Sequence, residues 1–135
     1  MANQVQLMVY EGYLVADPVM RFTPNGAPVT NFRMGSNNSY VDKEGKKVDE
    51  VTWIKVTAWG KQAEIVNNLC TKGTHVIVTG KLRPGANGSP EVFEMKNGGH
   101  GASFEMTADP FGVRILTPKP KDGETYEDED GGLPY

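Results

Sequence analysis

The sequence is short of cysteine and histidine, with one Cys at position 70 and two His at positions 75 and 100. A lone thiol excludes an internal disulfide, and two histidines without paired cysteines or a spaced carboxylate exclude the usual zinc motifs. No metal and no other cofactor is expected. Long apolar runs are also missing: no window approaches the roughly 18 residues of a spanning helix, so no membrane role is expected. The opening MANQVQLMVYEG lacks the basic, apolar and small-residue order of a secretory signal, which points to a cytoplasmic protein. There is no Walker loop, dinucleotide fingerprint or nucleophile elbow, and Gly98, Gly99 and Gly101 lack the strand-then-helix setting of a phosphate loop. Asp42, Glu44, Asp49 and Glu50 share a lysine-rich hairpin and read as surface rather than as a magnesium cluster. The chain is read as a binding protein, not an enzyme.

A surplus of one charge is absent from most of the chain as well. Its 135 residues carry 14 Lys and Arg against 17 Asp and Glu, a net charge of -3. Residues 1–116 hold twelve bases and eleven acids, whereas residues 117–135 hold two lysines and six acids. A near-neutral body with an acidic end does not by composition argue for nucleic-acid binding. Any such function must come from where the charges sit.

What is present is a repeated β pattern. Residues 5–15, VQLMVYEGYLV, are rich in β-branched and aromatic types and predict a strand bent at Gly12. Pro24-Asn25-Gly26 predicts a turn. Residues 29–37 alternate Phe32 and Met34 with Asn31, Arg33 and Gly35, which turns Arg33 away from the core. Asp42 to Lys47 reads as a protruding hairpin loop around Gly45. Residues 61–71 place Ala63, Val66, Leu69 and Cys70 at helical spacing, with Cys70 as a buried thiol and Lys72-Gly73 as the stop. His75 to Arg83 alternates Val76, Val78 and Leu82 against Thr79, Lys81 and Arg83. A Gly-rich excursion runs from Pro84 to Ser103, and residues 104–108 and 113–116 complete the strands around Asp109-Pro110-Phe111-Gly112. The fold expected is all-β, a five-stranded Greek-key OB-fold barrel over residues 1–116 with one short helix between strands three and four. Residues 117–135 lack periodicity and apolar content and read as a flexible acidic tail.

The segment Val51 to Gly60, VTWIKVTAWG, carries the chemistry. Strand alternation assigns Thr52, Ile54, Val56 and Ala58 to the core and Val51, Trp53, Lys55, Thr57 and Trp59 to the other side. Two indoles flanking a lysine offer flat faces for unpaired bases, at about 1–3 kcal/mol per stacked base, and a cation for the phosphate between them. Duplex DNA exposes no such base faces, so this surface selects single strands with little reading of sequence. The same tryptophans could instead cover a subunit interface. Arg33, Lys55, Lys81 and Arg83, all on non-core sides, weigh against a dry interface.

In order and spacing, GYLVADPVMRFTPNGAPVTNF and EVTWIKVTAWGKQAEIVNNLCTKGTHVIVTGKLR resemble the bacterial single-stranded DNA-binding proteins over about Val5 to Arg83. The resemblance implies an OB-fold homotetramer that wraps single-stranded DNA and protects it in replication, recombination and repair at the bacterial nucleoid. It implies stacking by Tyr40, Trp53 and Trp59 and basic contacts along the strand's path from Arg21, Lys55, Lys61, Lys72 and Arg83, to which Arg33 and Lys81 are added by alternation. The family commonly has a further tryptophan shortly after Arg83, where this chain has Pro84-Gly85-Ala86-Asn87; Phe93 or Phe104 could stand in for it, or belong to the core. The family's tails end in acids and a hydrophobic pair with proline. Here Glu127, Asp128, Glu129 and Asp130 supply the charge and Leu133, Pro134 and Tyr135 the apolar tip, separated by Gly131-Gly132, so the tail is expected to recruit replication, recombination and repair enzymes. The competing reading is an OB-fold adaptor of primosome type that bridges proteins and grips DNA weakly.

Overall fold

The computed structural model describes residues 2–117; the tail positions Glu127 to Asp130 and Leu133 to Tyr135 lie outside the described residues. Along the chain run β1 (Met8–Leu14), β2 (Val19–Phe22), β3 (Pro28–Val41), β4 (Lys47–Trp59), α1 (Lys61–Leu69), β5 (His75–Leu82), β6 (Val92–Glu94), β7 (His100–Ala102) and β8 (Phe104–Thr117). β1 pairs with β5, β5 with β8, β8 with β4, β4 with β3, and β3 back with β1. That cycle is the expected five-stranded barrel, closed by the parallel pairing of β4 with β8, with α1 between its third and fourth strands. β2 extends the sheet beside β3, and β6 and β7 form a separate two-stranded arm.

Closure depends on a glycine where β1 crosses from β5 to β3. β1 pairs with β5 from Met8 to Tyr13 and with β3 at Tyr13 and Leu14, so the strand changes partner just after Gly12. A Cβ on Gly12 would lie 2.3 Å from the Gly35 carbonyl oxygen. A backbone approach this close admits no side chain, which is why the bend expected at Gly12 needs glycine.

Inside the barrel, Leu14, Phe32, Met34, Ile54, Val56, Ala58, Val76, Val78, Met106 and Ala108 pack with Val66 and Cys70 into one cluster. Full burial of each large aliphatic side chain contributes about 1.5–3 kcal/mol. α1 caps one end of this core through Ala63 and Val66. Polar groups fix its seat: the Thr30 hydroxyl donates to the Ala63 carbonyl at 2.7 Å, and Gln62 donates to the Asp109 carbonyl and accepts from the Val113 N–H. Both ends of one amide thus hold the helix to β8.

Several details differ from the sequence pattern. Val5 and Leu7 are exposed, and β1 begins only at Met8, opposite Gly80. Leu69 is exposed because the buried stripe is Ala63–Val66–Cys70, and at 100° per residue Leu69 falls outside it. The helix stops at Leu69, with Cys70 already extended, rather than at Gly73. Leu82 is exposed because β1 covers β5 only as far as Gly80. The expected break at residues 109–112 is instead part of a continuous β8, kinked where Phe111 adopts a φ of 60°.

Candidate nucleic-acid interface

Register across the barrel decides which side chains share its outer face. In β3 and β4, Gly35 faces Trp53, Arg33 faces Lys55 and Asn31 faces Thr57. β8 continues these rows with Glu105 beside Lys55 and Thr107 beside Thr57, and β5 adds Lys81 opposite Thr107. Partners in register lie on one side of the sheet. Trp53, Arg33, Lys55 and Lys81 therefore form one surface, with Arg83 at its border, where its N–H donates to the Glu105 carbonyl.

Trp53 is seated rather than merely exposed. Its indole occupies the place a side chain on Gly35 would take: a Cβ there would come within 2.7 Å of the ring's Cζ3. The Arg33 guanidinium stands 5.6 Å from the ring centroid, a cation–π distance. The side chain remains 45% exposed, so ring surface is left for a partner. Glycine against the ring and the Arg33 guanidinium over it fix the orientation of the plane on which a base would stack.

Between the two tryptophans lies a polar strip. Thr57, expected on the open side, is buried, because the Asn31 amide covers its hydroxyl. With that amide turned so that its nitrogen donates to Thr57 Oγ1 at 2.8 Å, its oxygen accepts from the Arg21 guanidinium at 2.9 and 3.1 Å. Arg21 is thereby drawn toward this face from β2. Trp53 and Trp59 are separated by roughly 20 Å at the ordinary rise of a strand.

Trp59, 50% exposed, closes β4 in different company. It borders an apolar groove of about 570 Å³ between α1 and β8, with Lys61, Ile65, Phe111 and Arg114 among the lining residues. Phe111 there is 83% exposed. Lys61 belongs to this groove and not to the Trp53 surface. Lys72 sits in the turn after α1, where its N–H donates to Asp17. Tyr40 faces Val48, so by parity it lies on the side of the β3–β4 ribbon opposite Trp53. Its hydroxyl donates to Glu50 at 3.2 Å, and that carboxylate raises the phenol's pKa above its usual value.

Residues 2–89 match the profile of the Single-strand binding protein family. The chain belongs to this family. Similar proteins include a single-stranded DNA-binding protein of Paenarthrobacter aurescens, 31% identical over 134 residues, which are 98% of this chain and 74% of that one. Another, from Caldanaerobacter subterraneus subsp. tengcongensis, is 35% identical over 88% of this chain and 71% of the relative. A Corynebacterium glutamicum relative is 34% identical over 80% of this chain, which matches just under half of it, 46%. Among solved structures, a small single-stranded DNA-binding protein from Streptomyces coelicolor superposes with a TM-score of 0.66 at 22% identity, covering 85% of this chain and 96% of that one. A deletion mutant of the single-stranded DNA binding protein from Thermus aquaticus gives 0.64 at 24% identity over 86% and 52%. These likenesses agree with the barrel described above.

Against the family pattern, the arm after Arg83 holds residues that alternation could not place. Phe93 and Phe104 are both exposed, so neither belongs to the core. Phe104 pairs with Ile54 and by parity lies off the Lys55 face, whereas Phe93 borders a hollow that also contains Lys55. The β6–β7 pairing, Phe93 with Gly101, carries this placement, and nothing in the sequence short of that register signals it.

Proposed function

We propose that this protein binds single-stranded DNA across the outer face of β3, β4, β8 and β5, with little sequence preference, and protects it. The observation that carries the reading is Trp53, held over Gly35 under the Arg33 guanidinium with part of its ring open to solvent. A base stacks on that ring, and Lys55, Lys81, Arg83 and Arg21 neutralise the phosphates on either side. Trp59 and Lys61 take the strand at the α1 end. Tyr40 and Lys72 are reached only if the strand continues around the edge of the barrel.

The test is equilibrium binding of a labelled oligo(dT) and of a duplex of equal charge over a range of salt. Nanomolar binding of the single strand is expected, falling by about 0.7 log units per phosphate contact for each decade of salt. Equal affinity for the duplex overturns the reading.

Family membership supports two further parts. The chain assembles as a homotetramer in the cytoplasm, at the nucleoid, which sedimentation velocity checks directly. Residues 117–135 recruit replication, recombination and repair enzymes, the acids Glu127 to Asp130 giving long-range attraction and Leu133, Pro134 and Tyr135 filling a pocket. Equal recovery of partners by the full chain and by one ending at Tyr126 contradicts the tail's role.

A further inference from the structure

Under the β6–β7 arm, the outer face of the barrel changes character. Lys55, Glu91, Phe93, Ser103 and Glu105 line a hollow of about 190 Å³. The arm contributes nothing to the core: Val92, Phe93 and Met95 are all exposed. Phe93 is nevertheless held in place. It pairs with Gly101, where a Cβ would sit 3.0 Å from two ring carbons, so the missing side chain gives the phenyl ring its bed. A held aromatic ring at the mouth of a hollow beside Lys55 is a platform for one further base.

Two carboxylates make this hollow unlike the Trp53 surface. Glu105 stands in register with Lys55, and its carboxylate lies 3.9 Å from Arg83, at the outer limit of an ion pair. Glu91 comes from the arm. Carboxylates repel phosphate, so their place here is not explained by backbone binding. They accept hydrogen bonds, which base edges offer from exocyclic amino groups and, in thymine and guanine, from a ring N–H. Cytosine presents an N4 amino donor beside the N3 acceptor, which Lys55 or the Ser103 hydroxyl can serve. Thymine presents the O4 acceptor where cytosine has its donor, and its one donor, N3–H, lies between two carbonyl oxygens that a carboxylate repels.

We propose that the hollow between the β6–β7 arm and β4 receives one nucleobase, stacked on Phe93 and read by Glu91 and Glu105, and that it favours cytosine over thymine. The proposal rests on the single-strand reading above and adds a local preference to a surface that otherwise reads faces rather than edges.

The test compares oligo(dC) and oligo(dT) of equal length, bound to the full chain and followed by anisotropy, in wild type, Glu91→Gln/Glu105→Gln and Phe93→Ala. The double Gln variant is expected to lower the preference for dC relative to dT by about five-fold, the scale of one base-edge contact. Phe93→Ala is expected to weaken both oligomers alike, because stacking is indifferent to the edge. Glu91→Gln alone leaves the Glu105–Arg83 contact untouched and is expected to move the ratio in the same direction by less, which keeps the test open should the double variant fold poorly. A Gln variant that tightens both oligomers equally, as mere removal of negative charge would do, overturns the proposal while leaving the single-strand reading intact. Failure of the wild type to bind either oligomer overturns the single-strand reading itself, and the pocket with it.

Discussion

Trp53 and Trp59 lie on one strand with the same parity and similar exposure, 45% and 50%, yet the regions around them differ in kind. Trp53 rests over Gly35 among Arg33 and Lys55, a place made of a fixed ring and cations. Trp59 opens onto the α1–β8 groove, which Ile65, Phe111 and Ile115 also line. Alternation along a strand assigns a side chain to a face; the neighbouring strands decide what that face can bind. The Trp53 region is suited to a base with its phosphates, and the Trp59 region to a more apolar contact, with Lys61 and Arg114 among its lining.

The largest effect that would sharpen this contrast is expected for Trp53→Ala. It removes a base platform worth about 1–3 kcal/mol and is expected to weaken oligo(dT) binding by ten-fold or more. Trp59→Ala, measured in the same titration, is expected to cost less, since among the described residues the cation–π contact that holds a ring is at Trp53. A reversed order breaks the comparison.

Gly35→Ala isolates the positioning of Trp53. The new methyl group meets the far end of a side chain rather than backbone, so the indole shifts and the fold holds. A several-fold loss of affinity with little change in melting temperature is expected, smaller than for Trp53→Ala. A loss of stability with unchanged affinity contradicts the seat assigned to this glycine.

In the other region the expected effects are on stability. Phe111 combines a φ of 60° with 83% exposure, so its ring gains little from packing while its backbone sits where Asn and Gly are favoured. Phe111→Asn is expected to stabilise the fold by about 1 kcal/mol, read from denaturant unfolding. A destabilised variant would mean that the ring packs more than its exposure indicates.

The last contrast is a pH dependence under α1, absent at neutral pH. Burial pushes the Cys70 thiol up from 9.0 to about 11, because the charged thiolate is excluded from the core. A raised folded-state pKa gives stability that is complete below the unfolded value and is lost as pH climbs through the folded one. Wild type should therefore lose stability between pH 9.0 and about 11 more steeply than Cys70→Ala. The thiol should also resist alkylation at pH 8 until the protein is unfolded. Parallel curves for the two proteins contradict this.

Much of the barrel was legible because its strands follow a two-residue period and its turns use Pro-Asn-Gly and Lys-Glu-Gly. The β4 pattern separated Ile54, Val56 and Ala58 from Trp53 and Lys55 before any strand was paired. What stayed hidden depends on pairing between distant segments. Thr57 obeys the alternation and is still buried, because Asn31 covers it from the next strand. Leu82 obeys it and is exposed, because β1 covers β5 only as far as Gly80. Tyr40 has the residue type of a stacking platform but the parity of the opposite face. Gly35 reads in sequence as an interruption of a strand, and only its partner across the ladder gives it a purpose.

The central claim is that Trp53 stacks on bases, and its own fluorescence tests this most directly. Oligo(dT) titrated into wild type, Trp59→Ala and Trp53→Ala, with a duplex control, is expected to quench strongly in the first two and weakly in the third. Quenching that persists undiminished in Trp53→Ala, or that the duplex reproduces, would contradict the account.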